Sequence, residues 1–267
     1  MKPIDTQEAK QLMTELLRSF HDFCETHELR YYIAYGTLIG AVRHGGFIPW
    51  DDDIDVVMPR PDYEKFIELT RNGMGKDRLV ESMKTKKDYI YPFAKLIDPR
   101  TRIIEEFYNA DTGIYIDIFP IDGLPQNEAD IKAHYQKMDK LRKLHSLAYQ
   151  EELSWDNPIK HALLKTVAFV MRRFGRKFIL NRIDQFAQTY DFDHSDMMGL
   201  QVWGYGSRAA TSKTEGLPVT MMKFETLSVK APANYDAWLT QVYGDYMTPP
   251  PENKRASTHG TQRFWLE

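Results

Sequence analysis

Most of the features that would settle a protein's class at once are scarce in this chain. One cysteine, Cys24, in 267 residues excludes an intramolecular disulfide and suits a reducing compartment. No stretch approaches the roughly 18 uncharged apolar residues of a membrane-spanning helix. The opening residues, MKPIDTQEAK, carry two acids and no apolar core, so an export signal is not expected either. Excess charge is missing too: 35 basic against 38 acidic residues leave a net charge of -3, so nucleic acid is not an expected partner and any anion must be held locally. No internal repeat or low-complexity linker breaks the sequence. A cytoplasmic localisation is expected, with 42% hydrophobic residues sufficient for one large core or two small ones.

Against that plain background one segment stands out, YYIAYGTLIGAVRHGGFIPWDDDIDVVMPR at residues 31–60. Four aspartates, Asp51, Asp52, Asp53 and Asp55, fall in five positions beside an apolar run. Side chains alternate along an extended strand, so Asp53 and Asp55 point the same way, roughly 6.5 to 7 Å apart. Two carboxylates at that spacing can close on one hard cation, Mg²⁺ or Mn²⁺. A solvated acidic turn would lack the following IDVVM, whose β-branched residues mark a buried strand that stops at Pro59.

The remaining elements frame this segment. Ala9, Leu12, Met13, Leu16, Leu17, Phe20, Phe23 and Cys24 recur at helical spacing after an Asp5/Glu8 capping box; His21 and Cys24 belong to its packing side. Tyr31–Tyr35 reads as a strand, Gly36 as its turn, Thr37–His44 as a short helix and Gly45-Gly46 as its stop. Pro61 opens another helix with Tyr63, Phe66, Ile67 and Thr70 facing inward. Strands are expected at Leu79–Met83, Tyr89–Ile97 and Thr101–Phe107, the last two joined by an Asp98-Pro99 turn, and at Gly113–Asp122. From Glu128 to Tyr190 the texture turns helical, interrupted at Trp155–Pro158 and Gly175. Residues 159–180 interleave apolar side chains with Lys160, Lys165, Arg172, Arg173, Arg176 and Lys177. They read either as a surface leaning on anionic lipid or, more plainly, as a core helix with a solvated basic face. A strand around Phe224–Val229 and a helix around Tyr235–Tyr243 complete the pattern. The whole predicts an α+β fold, a mixed sheet with flanking helices and an added helical subdomain. Its expected divisions are a core at 1–126, helices at 127–198 and a returning segment at 199–267.

A strand, a Gly-hydroxyl turn, a helix start and an Asp-x-Asp strand together make a cradle for phosphate and metal. Gly36 admits close backbone approach, Thr37 offers a hydroxyl, and the following helix presents free N–H groups. Asp117, inside the apolar strand IYIDIFPID, is the third acid: such a carboxylate is costly unless paired or metal-bound. Its alternative is a buried acid held within the core or paired with Arg43 or Lys95.

GTLIGAVRHGGFIPWDDDIDVVMPRPDYEKF, FAKLIDPRT, DIFPIDGLP and YGDYMTPPPENKR together resemble the LicD family of phosphocholine and related phospho-alcohol transferases, and the matches span residues 31 to about 259. The resemblance implies a nucleotidyltransferase-like fold and transfer of phosphocholine from CDP-choline to a glycan or lipid-linked glycan hydroxyl, such as a teichoic acid or lipopolysaccharide precursor, releasing CMP. It implies Asp53, Asp55 and Asp117 as catalytic and metal-binding acids, and Gly36 and Thr37 as the Gly-Ser turn of that fold. Thr stands where Ser is usual, and the turn lies farther from Asp53 than in typical nucleotidyltransferases. Arg43, Lys95 and Arg255 are candidate phosphate contacts, and His44 or His259 candidates for proton transfer or a phosphate hydrogen bond, each with a surface salt bridge as its alternative, and Asp52 stands beside them in the sequence. Choline's quaternary ammonium needs an aromatic face or an acid; Trp50 adjoins the acids in sequence, with Tyr89, Tyr91, Trp203 and Tyr205 behind it. Peripheral contact with the inner face of a membrane would suit a lipid-linked acceptor. Relatives using CDP-ribitol, and by extension CDP-glycerol, leave the donor alcohol open. A metal-dependent glycosyltransferase would want a longer nucleotide-binding region before its Asp-x-Asp, and a silent scaffold would have no use for three such acids.

Overall fold

The computed structural model describes residues 1–75, 77–104, 112–149, 165–255 and 262–266. After the short strand β1 (Lys2–Pro3), helix α1 (Thr6–Thr26) begins where the capping box predicts, with Asp5 accepting the Glu8 amide at 2.8 Å. Its expected apolar stripe is buried except for the half-buried Phe23, Cys24 completely, and His21 lies 2.6 Å from the Tyr31 hydroxyl. Strand β2 (Tyr32–Ile33), helix α2 (Tyr35–His44), strand β3 (Asp55–Pro59) and helix α3 (Arg60–Leu69) follow. Gly45 ends α2 at φ 68, a left-handed position that glycine takes at least cost.

Strands β4 (Leu79–Glu81), β5 (Ala94–Ile104) and β6 (Thr112–Leu124) build the middle of the sheet, and helix α4 (Glu128–Tyr149) leads away from it. Helix α5 (Arg176–Ala187) returns, then strands β7 (Met197–Leu200) and β8 (Thr211–Ser212) and the single turn α6 (Lys213–Gly216). Strands β9 (Val219–Phe224) and β10 (Leu227–Pro232) form a separate hairpin before helix α7 (Tyr235–Tyr243) and strand β11 (Gln262–Trp265). The main sheet runs β1-β11-β5-β6-β3-β2, with β4 on β5 and β7 and β8 beside β6. β3 and β6 are parallel and the other pairs antiparallel. This is the mixed α+β arrangement that the alternation of short elements predicts.

Period-two alternation sorts the sheet into two faces. Ile54, Val56 and Met58, Ala94 and Leu96, and Ile114, Ile116 and Ile118 enter one core with α1 and α3. Val57, Phe93, Phe119 and Ile121 enter the other with Met138 of α4 and Ile179, Leu180 and Ile183 of α5. Asp55, Lys95 and Asp117 take the intervening positions, so they face α4 and α5.

Four expected features differ. Gly36, expected as the turn before α2, lies inside it, since the helix begins at Tyr35. Tyr89–Phe93 is not strand: Pro92 offers no N–H to a ladder, and the Ile90 carbonyl is 2.6 Å from His145 Nε2. Asp98-Pro99 is a register irregularity inside one long β5, not a turn; Asp98 takes the Arg100 amide and Thr101 bonds back to the Asp98 carbonyl, absorbing the proline locally. Phe224–Val229 holds the hairpin turn rather than one strand. Glu225 sits there at φ 54, its amide donating to the Gly45 carbonyl and its carboxylate accepting the Phe47 amide, so a tertiary contact decides what local propensity could not. Residues 105–107, the Trp155–Pro158 interruption and residues 159–164 lie outside the described residues.

One buried hub joins the layers. Arg60, 6% exposed, makes a two-pronged pair with Asp122 of β6 at 2.6 and 2.9 Å and reaches Asp184 of α5 at 2.8 Å and Glu64 at 3.2 Å. Removing one partner of such a pair strands the other charge in the interior, at a cost of about 3–5 kcal/mol. Asp122→Ala is therefore expected to lose roughly that much stability in urea unfolding, and a loss under about 1 kcal/mol would show that Asp184 and Glu64 suffice for Arg60.

Candidate active site

A cavity of about 1000 Å³ lies between the second face of the sheet and α4, and Asp51, Asp53, Asp55 and Asp117 all line it. Registry places three of its groups side by side: Asp55 is opposite Asp117 on the parallel pair, and Lys95 is opposite Asp117 on the antiparallel one. The Lys95 ammonium meets Asp117 at 2.7 Å, is 2% exposed, and lies 3.2 Å from the centre of the Tyr115 ring and 4.4 Å from that of Tyr91. Of the two core alternatives for Asp117, the pairing with Lys95 is thus present, and it coexists with a cavity-facing position.

Local structure aims the acids. The Asp55 amide donates to Thr37 Oγ1 at 2.8 Å, the Asp55 carbonyl accepts from Ala34, and Ile54 accepts the Asp117 amide at 2.8 Å. Thr37 is 3% exposed and does not line the cavity; its hydroxyl, by accepting the Asp55 amide, fixes the start of β3. Gly36 does line the cavity, and a Cβ there would come within 2.8 Å of Asp51 Oδ2. Burial first, then the charges of Asp53, Asp117 and Asp51, hold the Asp55 carboxyl well above the usual carboxylate range, with Lys95 opposing.

Alternation also explains the acid that leaves. Asp51, Asp53 and Asp55 turn to the cavity while Asp52 turns to the other side, buried against Arg263 of β11 in an ion pair. Asp52 is therefore a tether for β11 and not a cavity residue. Arg43, His44, Trp50 and Arg255 gather elsewhere, at the far end of α2, about 10 Å along the helix from Gly36. Arg255 stacks 5.2 Å over Trp50, the His44 and Trp50 rings are 6.5 Å apart, and Arg43 donates to the Tyr246 carbonyl at 3.0 Å. None of the four lines the cavity. Neighbourhood in sequence misleads here because the chain turns at Ile48–Asp51, where the Asp51 amide donates to the Ile48 carbonyl at 3.0 Å. His259 lies outside the described residues.

The aromatic wall is instead Tyr35, Tyr91, Phe93, Tyr115, Trp203 and Tyr205, and Trp203 and Phe93 are in edge contact at 5.4 Å. Tyr89 is buried behind it, its ring 5.7 Å from that of Tyr91, and does not line the cavity. Sequence reasoning did not single out the far wall, where Asp139, Arg142 and Lys143 of α4 line the same cavity as the acids. Arg142 is held by Asp139 at 2.5 Å. Nothing distinguishes these from any solvated helix face in the sequence; only the docking of α4 does so.

An all-oxygen set of carboxylates suits a hard cation. Among the described residues no three acidic, imidazole or thiol side chains yet converge on one ion position, and Asp117 is engaged by Lys95. Asp53 and Asp55 are the pair that fits, since Mg²⁺ is commonly held by one or two carboxylates together with substrate phosphates.

A mixed sheet with flanking helices is consistent with a nucleotidyltransferase-like domain, and comparison with known proteins shows the class. Residues 28–145 match the LicD/FKTN/FKRP nucleotidyltransferase domain. Over its whole length the chain is 31% identical to the lipopolysaccharide cholinephosphotransferase LicD of Haemophilus influenzae, covering 100% of both. Shorter likenesses run to Mannosyltransferase regulator 4 of Saccharomyces cerevisiae, 26% over 121 residues, 43% of this chain and 10% of that one, and to an uncharacterized protein of Rickettsia typhi, 38% over 55 residues, 21% and 18%. The chain belongs to the LicD family of phosphocholine transferases.

The raised Asp55 carboxyl has a thermodynamic consequence. A group that binds its proton more tightly folded than unfolded lowers stability as pH rises from its ordinary value, 3.8, through its folded-state value. In metal-free protein, Asp55→Asn is expected to melt above wild type at neutral pH, with the gap narrowing towards about pH 4. A variant that melts lower at both would make the carboxylate a structural acceptor.

Proposed function

We propose that this protein transfers phosphocholine from CDP-choline to a hydroxyl of a cell-surface glycan of the lipopolysaccharide kind, releasing CMP. What carries the reading is the coincidence, in one cavity, of the Asp53, Asp55 and Asp117 carboxylates with an aromatic wall, in a chain alignable from end to end with a lipopolysaccharide cholinephosphotransferase. In this reaction the acceptor oxygen bonds to the choline-bearing phosphorus as the phosphorus–oxygen bond to CMP breaks. CMP leaves with the electron pair and the acceptor's proton passes to a base.

Positioning and charge neutralisation dominate such transfers. Asp53 and Asp55 are the residues that would hold a divalent cation, which when bound supplies neutralisation of the diphosphate. Asp117 is the candidate base, with Lys95 at 2.7 Å setting its orientation and its charge. Arg142 and Lys143 stand where the donor's phosphates would be met from the α4 side. The trimethylammonium group fits Trp203 and its neighbours, because a cation over an aromatic face is attracted by the ring's quadrupole and needs no hydrogen-bond acceptor.

The donor is tested by thermal shift with CDP-choline, CDP-ribitol and CDP-glycerol in the presence of Mg²⁺, since a ligand of the folded state raises the melting temperature by mass action. Stabilisation by CDP-choline above the others is expected; stabilisation by CDP-ribitol or CDP-glycerol alone would move the activity to that alcohol. Asp53→Asn and Asp117→Asn are each expected to cut transfer by on the order of a hundredfold or more with the fold intact by circular dichroism, and near-normal turnover in Asp53→Asn would remove it from the metal site. Trp203→Ala should weaken CDP-choline by roughly two- to thirtyfold while sparing CMP. Trp50→Ala should leave both unchanged, and the reverse pattern would return the choline site to Trp50.

A further inference from the structure

The two most exposed large apolar side chains among the described residues are Phe169 at 68% and Phe178 at 62%, and Val170 stands beside them at 49%. All three belong to one helical stretch whose other side, Ala168, Ile179, Leu180 and Ile183, is buried. In unbroken α-helix nine residues turn through ~900°, which would set the two phenylalanines on opposite sides. The π-helical turn Met171–Gly175 between them takes up about one extra residue, some 100° of that rotation. It brings the two rings to adjoining sides of the same outward surface.

That surface is also strongly cationic in a chain whose net charge is -3. Residues 157–183 contain seven lysines and arginines and no acid, and Lys165, Arg173, Arg176, Lys177 and Arg182 are exposed. Exposed rings flanked by cations match the boundary between lipid headgroups and acyl chains. A second copy of the chain fits poorly, because a two-fold pairing through this face would set like charges against each other. A nucleic acid or other polyanion would use the cations and leave the phenylalanines in water.

We propose that this face, centred on Phe169 and Phe178 with Lys165 and Lys177 at its edges, seats the protein on an anionic membrane surface. The α5 helix that ends it also carries Ile183 into the cavity wall, so seating would hold the cavity close to a lipid-linked acceptor. The inference does not rest on the donor assignment.

The test is co-sedimentation of the full chain with vesicles of phosphatidylcholine alone or with about 30% phosphatidylglycerol. Binding to the anionic vesicles only, weakening as salt is raised, is expected. Phe169→Ser/Phe178→Ser and Lys165→Glu/Lys177→Glu should each reduce it by about tenfold or more, with melting temperatures close to wild type. The two pairs change different chemistry, so one remains informative should the other fail to fold. Absence of binding to anionic vesicles, or wild-type binding by both variants, overturns the proposal. So does retention on heparin without vesicle binding, which assigns the face to a polyanion. Concentration-dependent self-association lost in the phenylalanine variant, again without vesicle binding, would assign it to a second copy.

Discussion

The contact between Lys95 and Asp117 is the constraint on which the site's geometry depends. Four carboxylates facing one cavity repel one another, and a floor of that composition would spread or take up protons without a positive charge among them. Lys95 supplies it from the neighbouring strand, at 2.7 Å and nearly sealed from solvent. The ammonium is itself supported by the Tyr115 and Tyr91 rings, so the cation is not left to the carboxylate alone. The aromatic wall thus has a structural task in addition to any it has towards a ligand.

Strand registry turns that pair into a row. Asp55, Asp117 and Lys95 occupy successive strands at matched positions, and the period-two alternation that buries isoleucines on one face delivers these polar groups to the other. The parallel β3–β6 pairing is essential, because a shift by one residue would bury the carboxylates among α1 and α3 and expose the isoleucines. Thr37 contributes to the same end by taking the first amide of β3.

Much of this was legible in the sequence, and what was not has a common cause. Asp55 and Asp117 could be picked out because an acid in an apolar strand is conspicuous, Asp53 because strand spacing pairs it with Asp55, and α1 because its cap and helical spacing are local signals. Alternation turns Asp52 away from Asp53 and Asp55, but its partner Arg263, 211 residues away, is beyond any local signal. Trp50 and Arg43 were drawn into the site by adjacency along the chain, although α2 carries them to its far end. Arg142 and Lys143 look like any solvated helix face until α4 docks. The β9–β10 turn at Glu225 depends on a bond to Gly45, beyond the reach of local propensity. Alternation and capping are readable from one strand or helix at a time; partners supplied by distant segments are not.

The Arg60 hub bears on how the molecule comes apart. Arg60 reaches partners 62 and 124 residues away along the chain, on β6 and on α5, so its bonds close only after sheet and helix have both found their places. Bonds of such span that are absent from the folding transition state would act on the rate of opening and leave the rate of closing almost untouched. Sheet and α5, which carries Ile183 in the cavity wall, are joined by a buried fastening that neither makes alone, so that part of the wall keeps its place only while the two stay docked.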